Sequence, residues 1–559
     1  MNETLTSPVP TATARVAQMF PTLTSTQVER IASHGRRRAT VRGELLYDIG
    51  TLPVPFVVVA RGQVDLIHPE DGTERLIHTL KPGQFSGELN LLSGRRALAR
   101  ARARERGEVI ILEREELLRL VQTDFDLSEI LMRAFILRRV ALMEEGLGDV
   151  VLIGSKFCSG TLRVREFLSR NAHPYAYIDL EQDNEVQHLL DRFQVSIDDI
   201  PVLICRGDLV LRNPGNAEIA DCLGLNESVD STQVRDLLVI GAGPSGLAAA
   251  VFAASEGLDV LVMEASVPGG QAGASSKIEN FFGFPTGITG QALTGRAFVQ
   301  AQKFGAQVLI ASGAQKLTRN RRPYAIESST GQNVQARAVV IASGAAYRKP
   351  PIENLSHFEG AGVYYAATFM ESQLCRDEEV IVIGGGNSAG QAAVFLAQAA
   401  KRVYMLVRGD GLADTMSRYL ILRIEQDPKI ELHAHSELTA LEGSNHLERA
   451  QWRNKQTEEV QSREIRHVFV MAGADPSTDW LKGCLALDAK GFIKTGSALS
   501  DEDLRDASWP LARRPLLLET SLPGVFAVGD VRAGNVKRVA SAVGEGSISI
   551  AFVHQVLSE

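Results

Sequence analysis

Two stretches of this chain follow one plan. LLVIGAGPSGLAAAVFAAS (237–255) and VIVIGGGNSAGQAAVFLAQAA (380–400) each run from an apolar, β-branched segment through a glycine turn into an alanine-rich segment of helical pattern. An apolar strand that feeds directly into a helix belongs in a parallel sheet covered on both faces, so this half of the chain is α/β. In the first unit Gly241 permits a tight turn, Gly243 lets the backbone approach a pyrophosphate and Gly246 lets the helix sit close to the sheet, with Pro244 and Ser245 between them. The helix N-terminus offers free N–H groups and a positive dipole end to phosphate. The next strand, DVLVME, ends at Glu264, 18 residues after Gly246, where a carboxylate can accept a ribose hydroxyl. The second unit carries Gly384, Gly386, Asn387, Ser388 and Ala389, and its next strand, RVYMLVR, ends in Arg408 where the first had an acid. A cation there can meet a 2′-phosphate, which favours NADP over NAD; the bland alternative is a solvated strand end. Two dinucleotide sites are therefore expected.

The rest of the 559 residues differs in character, and at about 100–200 residues per domain three to five domains are expected. Residues 20–112 hold short apolar runs such as FVVVA and QVDLIH broken by turn signals, including Asp-Gly at 71–72, and read as antiparallel β. The stretch REELLRLVQTDFDLSEILMRAFILRRVALMEE, from Arg114, lacks Gly and Pro and reads as helix, either packed on its own β domain or forming a dimer contact. Residues 150–225 alternate: strand VVLIGS, helix TLRVREFLSRN, strand YAYIDL, helix EVQHLLDRF, hairpin PVLIC and DLVLR, helix NAEIADCLGL. NESVDSTQV (226–234) is polar and reads as a linker.

A net charge of −8 argues against nucleic acid or an anionic membrane as partner. No run approaches the ~18 apolar residues of a membrane span. MNETLTSPVP lacks the basic-then-apolar pattern of a secretory signal, so a cytoplasmic protein is expected. The five cysteines (158, 205, 222, 375, 484) include no CxxC and no zinc-like spacing. No metal is expected, and a reducing compartment is favoured over a disulfide framework.

Residues 235–559 resemble the low-molecular-weight thioredoxin reductase family of flavoproteins. The resemblance is carried in family order by IGAGPSG, PGGQAGASSKIENFFGFPTGITGQAL, VVIASGA, VIGGGNSA and TSLPGVFAVGDV. It implies FAD held additionally by Gly270, Gln271, Asn280, Gly529 and Asp530, with Val539 and Ala540 beside the flavin ring, where Val539 replaces a family Gln. It also implies NADPH as reductant, with NADH as the alternative, and a homodimer. The FAD domain (235–350 and 476–559) is then split around a nicotinamide domain (351–475). Two departures stand out. The family's redox-active CATC is replaced within YYAATFMESQLC, which offers no pair of thiols, and the phosphate clamp HRRDxFRA is VRGDGLAD, keeping Arg408 and Asp410 but losing two arginines.

Residues 150–225 resemble the thioredoxin and glutaredoxin fold through FCSGT opening a helix and DDIPVLIC later. Cys158 would sit at a helix N-terminus, where the dipole favours a thiolate, facing a cis-proline at Ile200-Pro201. With Thr161 in place of a second cysteine it is a monothiol, either a nucleophile that needs an external resolving thiol or an inert cysteine in a docking module. Residues 15–146 resemble the cyclic-nucleotide-binding domain of bacterial regulators through RGELLYDIG, FVVVARGQVDLI and LKPGQFSGELNLLSGRR. The resemblance implies Gly87 and Glu88 at the ribose, and Arg96 with Ala97 at the cyclic phosphate, although Leu98 replaces a small residue. The run RRALARARARER places Arg100, Arg102, Arg104 and Arg106 at period two, on one strand face, either solvated or meeting an acidic partner.

The expected architecture is thus a multidomain α/β chain. It comprises an N-terminal β jelly-roll with helices, a thioredoxin-like domain, and two Rossmann-like dinucleotide-binding domains, the FAD one discontinuous. The expected activity is hydride transfer from NAD(P)H to FAD and on to an unassigned acceptor, a thiol or a carrier protein, with cyclic-nucleotide gating; Cys158 is the candidate catalytic residue. Two alternatives stay open. One is a ferredoxin/flavodoxin-NADP reductase-like enzyme, disfavoured because the chain stops at VHQVLSE soon after its last helix. The other is a non-catalytic flavin or nucleotide sensor.

Overall fold

The computed structural model describes residues 12–559 except 71–72, 156–157, 181–198, 207–208, 319–321 and 414–415. The helix expected at EVQHLLDRF and the Asp71–Gly72 turn lie outside the described residues.

The N-terminal part forms two antiparallel sheets. Strands β1 (Arg36–Thr40), β2 (Leu45–Tyr47), β3 (Phe56–Arg61), β4 (Val64–Glu70), β5 (Thr73–Leu80), β6 (Arg100–Ala103) and β7 (Gly107–Leu112) pair in the orders β1-β7-β3 and β2-β6-β4-β5. The alternation of the arginine run holds over the strand Arg100–Ala103: Ala101 and Ala103 are buried, while Arg100 bonds Asp48 and Glu74 and Arg102 bonds Glu74. The strand ends there, so Arg104, which meets Asp65, and Arg106, which pairs with no carboxylate among the described residues, lie in the exposed bend beyond it rather than on the same strand face. The long helical stretch divides into α1 (Arg114–Thr123) and α2 (Phe125–Glu144). Asp124 leaves the helical conformation, and its carboxylate accepts the Leu127 N–H at 3.1 Å as the cap of the second helix.

The central segment pairs β8 (Val150–Gly154), β9 (Ala176–Asp179), β10 (Val202–Cys205) and β11 (Leu209–Arg212) in the order β11-β10-β8-β9, with β8 and β9 parallel and the expected hairpin antiparallel. Two helices accompany it, α3 (Ser159–Arg170) and α4 (Asn216–Leu223). Cys205 and Cys222 are bonded to each other, contrary to the expectation of free thiols. They are 17 residues apart in sequence and meet only because α4 packs on the sheet.

Beyond this, β12 (Val234–Ile240) lies between β13 (Val260–Met263) and the strand Asn333–Ile341, all parallel. Val525–Ala527 pairs in parallel with Asn333–Ile341, and the last helix, Val539–Ser558, packs along Pro244–Ser255. The C-terminal residues therefore complete the sheet that opened at residue 234. Between these halves a second parallel sheet forms in the order Val363–Tyr364, His467–Val470, Glu379–Ile383, Arg402–Leu406, Ile430–His433. The polar connection at 226–234 is fastened at its start: the Asn226 side chain bonds both the N–H and C=O of Ile310, and Glu227 pairs with Arg114 at 2.6 Å. No described helix is long and apolar enough to cross a membrane.

Candidate functional site

The first glycine turn follows β12 directly. Gly241 has φ +104°, and a Cβ there would lie 2.4 Å from the Ala342 carbonyl, so only glycine fits. A Cβ on Gly246 would lie 1.8 Å from the Gly241 carbonyl, which fixes the helix against the turn. Gly243 faces Gly270 so closely that a Cβ on Gly270 would come 3.0 Å from the Gly243 Cα. Two bare stretches of backbone thus form a cradle of the kind a pyrophosphate needs. Pro244 and Ser245 open the helix that follows. Glu264 is buried; its carboxylate accepts the Ala242 N–H at 2.7 Å and the Ser266 N–H at 2.9 Å, and burial pushes its pKa up.

The returning C-terminal residues close the same site. Gly529 has φ +73°, and a Cβ there would meet Ser245 Oγ at 2.4 Å. Asp530 is pushed up by burial, and its carboxylate has no hydrogen-bond partner among the described residues, which leaves it able to accept from a ligand. Glu545, which sequence reasoning did not single out, accepts the Gly529 N–H at 2.8 Å and pairs with Arg532 and Asn535, so it sets the turn that carries Asp530. Gln271 donates to the Ala345 carbonyl, and Asn280 is exposed. Val539 and Ala540 begin the last helix, with Ala540 exposed. These groups follow the C-terminal ends of parallel strands, where nucleotides bind in open α/β sheets. They fit FAD.

The second turn repeats the geometry. Gly384 has φ +139°, and a Cβ there would lie 2.6 Å from the Met471 carbonyl. Gly386 caps the helix Asn387–Leu396, Ala389 is fully buried against the sheet and Ser388 is exposed. The Asn387 carbonyl oxygen accepts the Ser417 N–H at 2.7 Å, so Asn387 positions the neighbouring loop. Arg408 is exposed, and no described carboxylate pairs with it.

Residues 235–546, more than half of the chain, match the family model described as pyridine nucleotide-disulphide oxidoreductase. The chain belongs to the pyridine nucleotide-disulphide oxidoreductase family. Residues 37–124 match the cyclic nucleotide-binding domain. Within the oxidoreductase family the chain is similar to the thioredoxin reductase of Streptomyces coelicolor (32% identical, covering 56% of this chain and 91% of that one). It is also similar to that of Mycoplasmopsis pulmonis (31%, covering 57% and 97%). The structure of Lactococcus lactis thioredoxin reductase in its FR conformation covers 58% of this chain and 99% of its own, at 25% identity and a TM-score of 0.51.

Cys158, Cys375 and Cys484 are the free cysteines among the described residues. Cys158 is partly exposed and caps α3. The Ile200–Pro201 bond is cis, and Pro201 Cδ lies 2.8 Å from where a Cβ on Gly160 would be, so the proline faces the turn of Cys158 as expected. Cys375 is fully buried at the end of the helix Phe369–Leu374, and burial with Glu371 and Glu378 nearby pushes its thiol far up, away from nucleophilic use. Ala367 pairs with Ser275, which brings the AATF segment (366–369) to the loop after the first glycine cradle without a sulfur in it. Helix α3 touches both parallel-sheet units. Leu162 joins the core of Tyr364, Ala367 and Cys375, while Arg170 Nη2 donates to the Gly270 carbonyl at 2.5 Å and Gln291 to the Ser169 carbonyl at 3.0 Å.

In the N-terminal domain Gly87, Glu88 and Ala97 line a cavity of about 360 Å³. Arg96 does not line it. Its guanidinium packs at Gly224, with Nε 3.1 Å from the glycine's Cβ position, at the C-terminal end of α4 where the helix dipole favours a cation. Glu88 is engaged by Arg139 of α2 at 2.9 Å. Two arginines line the cavity: Arg15, and Arg138 of α2, which was missed in the sequence because it lies about fifty residues beyond the loop it faces. No cluster of three or more metal-ligating side chains occurs among the described residues.

Proposed function

We propose that the protein is an NAD(P)H-dependent flavin oxidoreductase in which hydride passes from NAD(P)H to FAD and on to an acceptor other than a dithiol of the nicotinamide domain. The observation that carries this reading is the pair of glycine turns, one backed by the buried acceptor Glu264 and the other by the free cation Arg408. FAD supplies the two-electron exchange when bound. The chain's part is positional: Gly241, Gly243 and Gly270 admit the pyrophosphate, Glu264 and Asp530 accept hydrogen bonds from the cofactor, and Arg408 selects the 2′-phosphate.

Cys158 is the candidate thiol partner in this reading, carried by a thioredoxin-like module docked on both cofactor domains. Cyclic-nucleotide gating draws less support, since Arg96 is turned away and Glu88 is already paired. Association as a homodimer belongs to the proposal, with Ile136 and Val140, exposed one turn apart on α2, as its candidate face. The deciding experiment is anaerobic addition of NADPH to the FAD-loaded protein, followed at the flavin absorbance band. Rapid stoichiometric bleaching is expected, followed by reoxidation with one of thioredoxin, glutathione disulfide, ferredoxin, a quinone or oxygen. A flavin that NADPH and NADH leave oxidised would refute the reading.

A further inference from the structure

The charges around the N-terminal cavity do not balance. Three carboxylates line it, and each has its own cation: Glu88 pairs with Arg139, Glu144 with Arg15 at 2.7 Å, and Glu145 with Arg75. Arg138 lines the same cavity, is 5% exposed, and pairs with no carboxylate among the described residues. Its Nε donates to the Met19 carbonyl at 2.8 Å and its Nη1 to the Gly87 carbonyl at 2.7 Å, and the guanidinium lies over the rings of Phe20 and Phe85 at 4.6 and 4.7 Å. Nη2 is buried and has no hydrogen-bond partner among the described residues. Burial lowers the Arg138 pKa to about 9, which still leaves a cation at neutral pH.

A second observation points the same way. His78 also lines the cavity and stacks on Phe20 with ring centroids 3.8 Å apart, and its Nε2 is a second buried polar atom without a partner. A buried donor left unpaired is costly, and the Arg138 Nη2 is completed by a ligand that accepts from it, while the neutral His78 ring, whose other hydrogen bond goes to Gln84, offers a further polar atom in the same wall.

Beside the Tyr47 phenol and the Asn90 amide, most of the remaining wall is apolar, with Leu66, Ile77, Leu91, Leu98, Leu142 and Leu147 in it. A cyclic nucleotide brings ribose hydroxyls and a base edge that need partners, yet Glu88 is spent on Arg139 and the Asn90 amide donates to the Arg96 carbonyl. We infer that this cavity binds a small amphipathic monoanion, a carboxylate with an apolar tail, whose head group is held by Arg138 and whose tail lies against the leucine wall. The volume, about 360 Å³, falls at the lower end of small-molecule sites, which span roughly 300–1,000 Å³. The inference concerns the N-terminal domain alone and does not depend on the redox reading.

Calorimetry on the full-length protein tests it, with decanoate, decanol, cyclic AMP and cyclic GMP as probes. Decanoate is expected to bind at one site per chain, roughly tenfold or more tighter than decanol, which matches its tail but lacks its charge, and tighter than either cyclic nucleotide. Leu142→Trp fills the cavity while keeping the Arg138 charge, and should abolish decanoate binding. Arg138→Gln should erase the decanoate–decanol difference; should that variant fail to fold, the native comparison and Leu142→Trp decide. Equal affinity for decanoate and decanol, binding that survives Leu142→Trp, no decanoate binding, or tighter binding of a cyclic nucleotide would each overturn the inference.

Discussion

Arg408 stands at the end of its strand with its charge uncommitted, so a 2′-phosphate would meet it without displacing a carboxylate. One charge-assisted hydrogen bond is worth about 1.5–3 kcal/mol, and solvent exposure reduces it, so NADPH should be preferred over NADH by at most roughly ten- to a hundredfold. Arg408→Ala should erase that preference in kcat/KM for flavin reduction while leaving the NADH value nearly unchanged. The placement of Arg408 after its strand, and of the glycines and Glu264 around their turn, was legible in the sequence, because a strand–glycine turn–helix unit is local and its backbone demands fall on fixed spacings. Glu545 and Arg138 were not legible. Each acts on a turn it reaches only through the fold, Glu545 on Gly529 and Arg138 on Gly87. Arg96 was misplaced for the converse reason: the loop reads as a ligand loop, but a helix end in another segment captures its side chain.

At the level of elements the sequence patterns were read largely as they fold. The two strand–turn–helix units, the central hairpin and the arginine strand all rest on periodicity, which neighbouring residues determine. The single helix expected after Arg114 became two because Asp124 caps the second, a choice decided by one side chain rather than by a pattern. The strand His467–Val470 in the second parallel sheet carries a testable charge effect. His467 is buried, its Nδ1 lies 3.3 Å from the Tyr364 hydroxyl, and burial with Arg466 nearby lowers its pKa to about 4. Below about pH 6.5 the unfolded chain takes up a proton at this position and the folded chain does not. Its contribution to stability is therefore fully present above that pH and is lost progressively as the pH falls toward 4, by about 3 kcal/mol in all. Urea unfolding between pH 7 and pH 4.5 should show a steeper loss in the native protein than in His467→Gln. Parallel slopes would show that His467 titrates normally.

For the whole molecule, the position of the sulfurs decides which half-reactions are separable. Cys158 lies outside both nucleotide turns, so Cys158→Ser should leave flavin reduction by NADPH at its native rate. Any disulfide-reducing turnover should disappear with it, because a monothiol route needs that sulfur and an external resolving thiol. NADPH consumption with glutathione disulfide or thioredoxin, in native and Cys158→Ser proteins, reads both steps. Helix α3 adds a mechanical condition. One end is embedded in the core of the second parallel sheet through Leu162, and the other is bonded to the segment after the first glycine turn through Arg170 and Gln291. It is a strut, and a strut fixed at both ends resists torsion. Any swivel of one parallel sheet against the other must shear one of these joints or carry the strut along. Its release, rather than chemistry, would then set the pace of each cycle. Arg170→Ala combined with Gln291→Ala cuts one joint, so the double variant should raise the turnover number and make it less sensitive to solvent viscosity, while lowering Tm. A variant that turned over more slowly would instead show that the braced arrangement is the one that works.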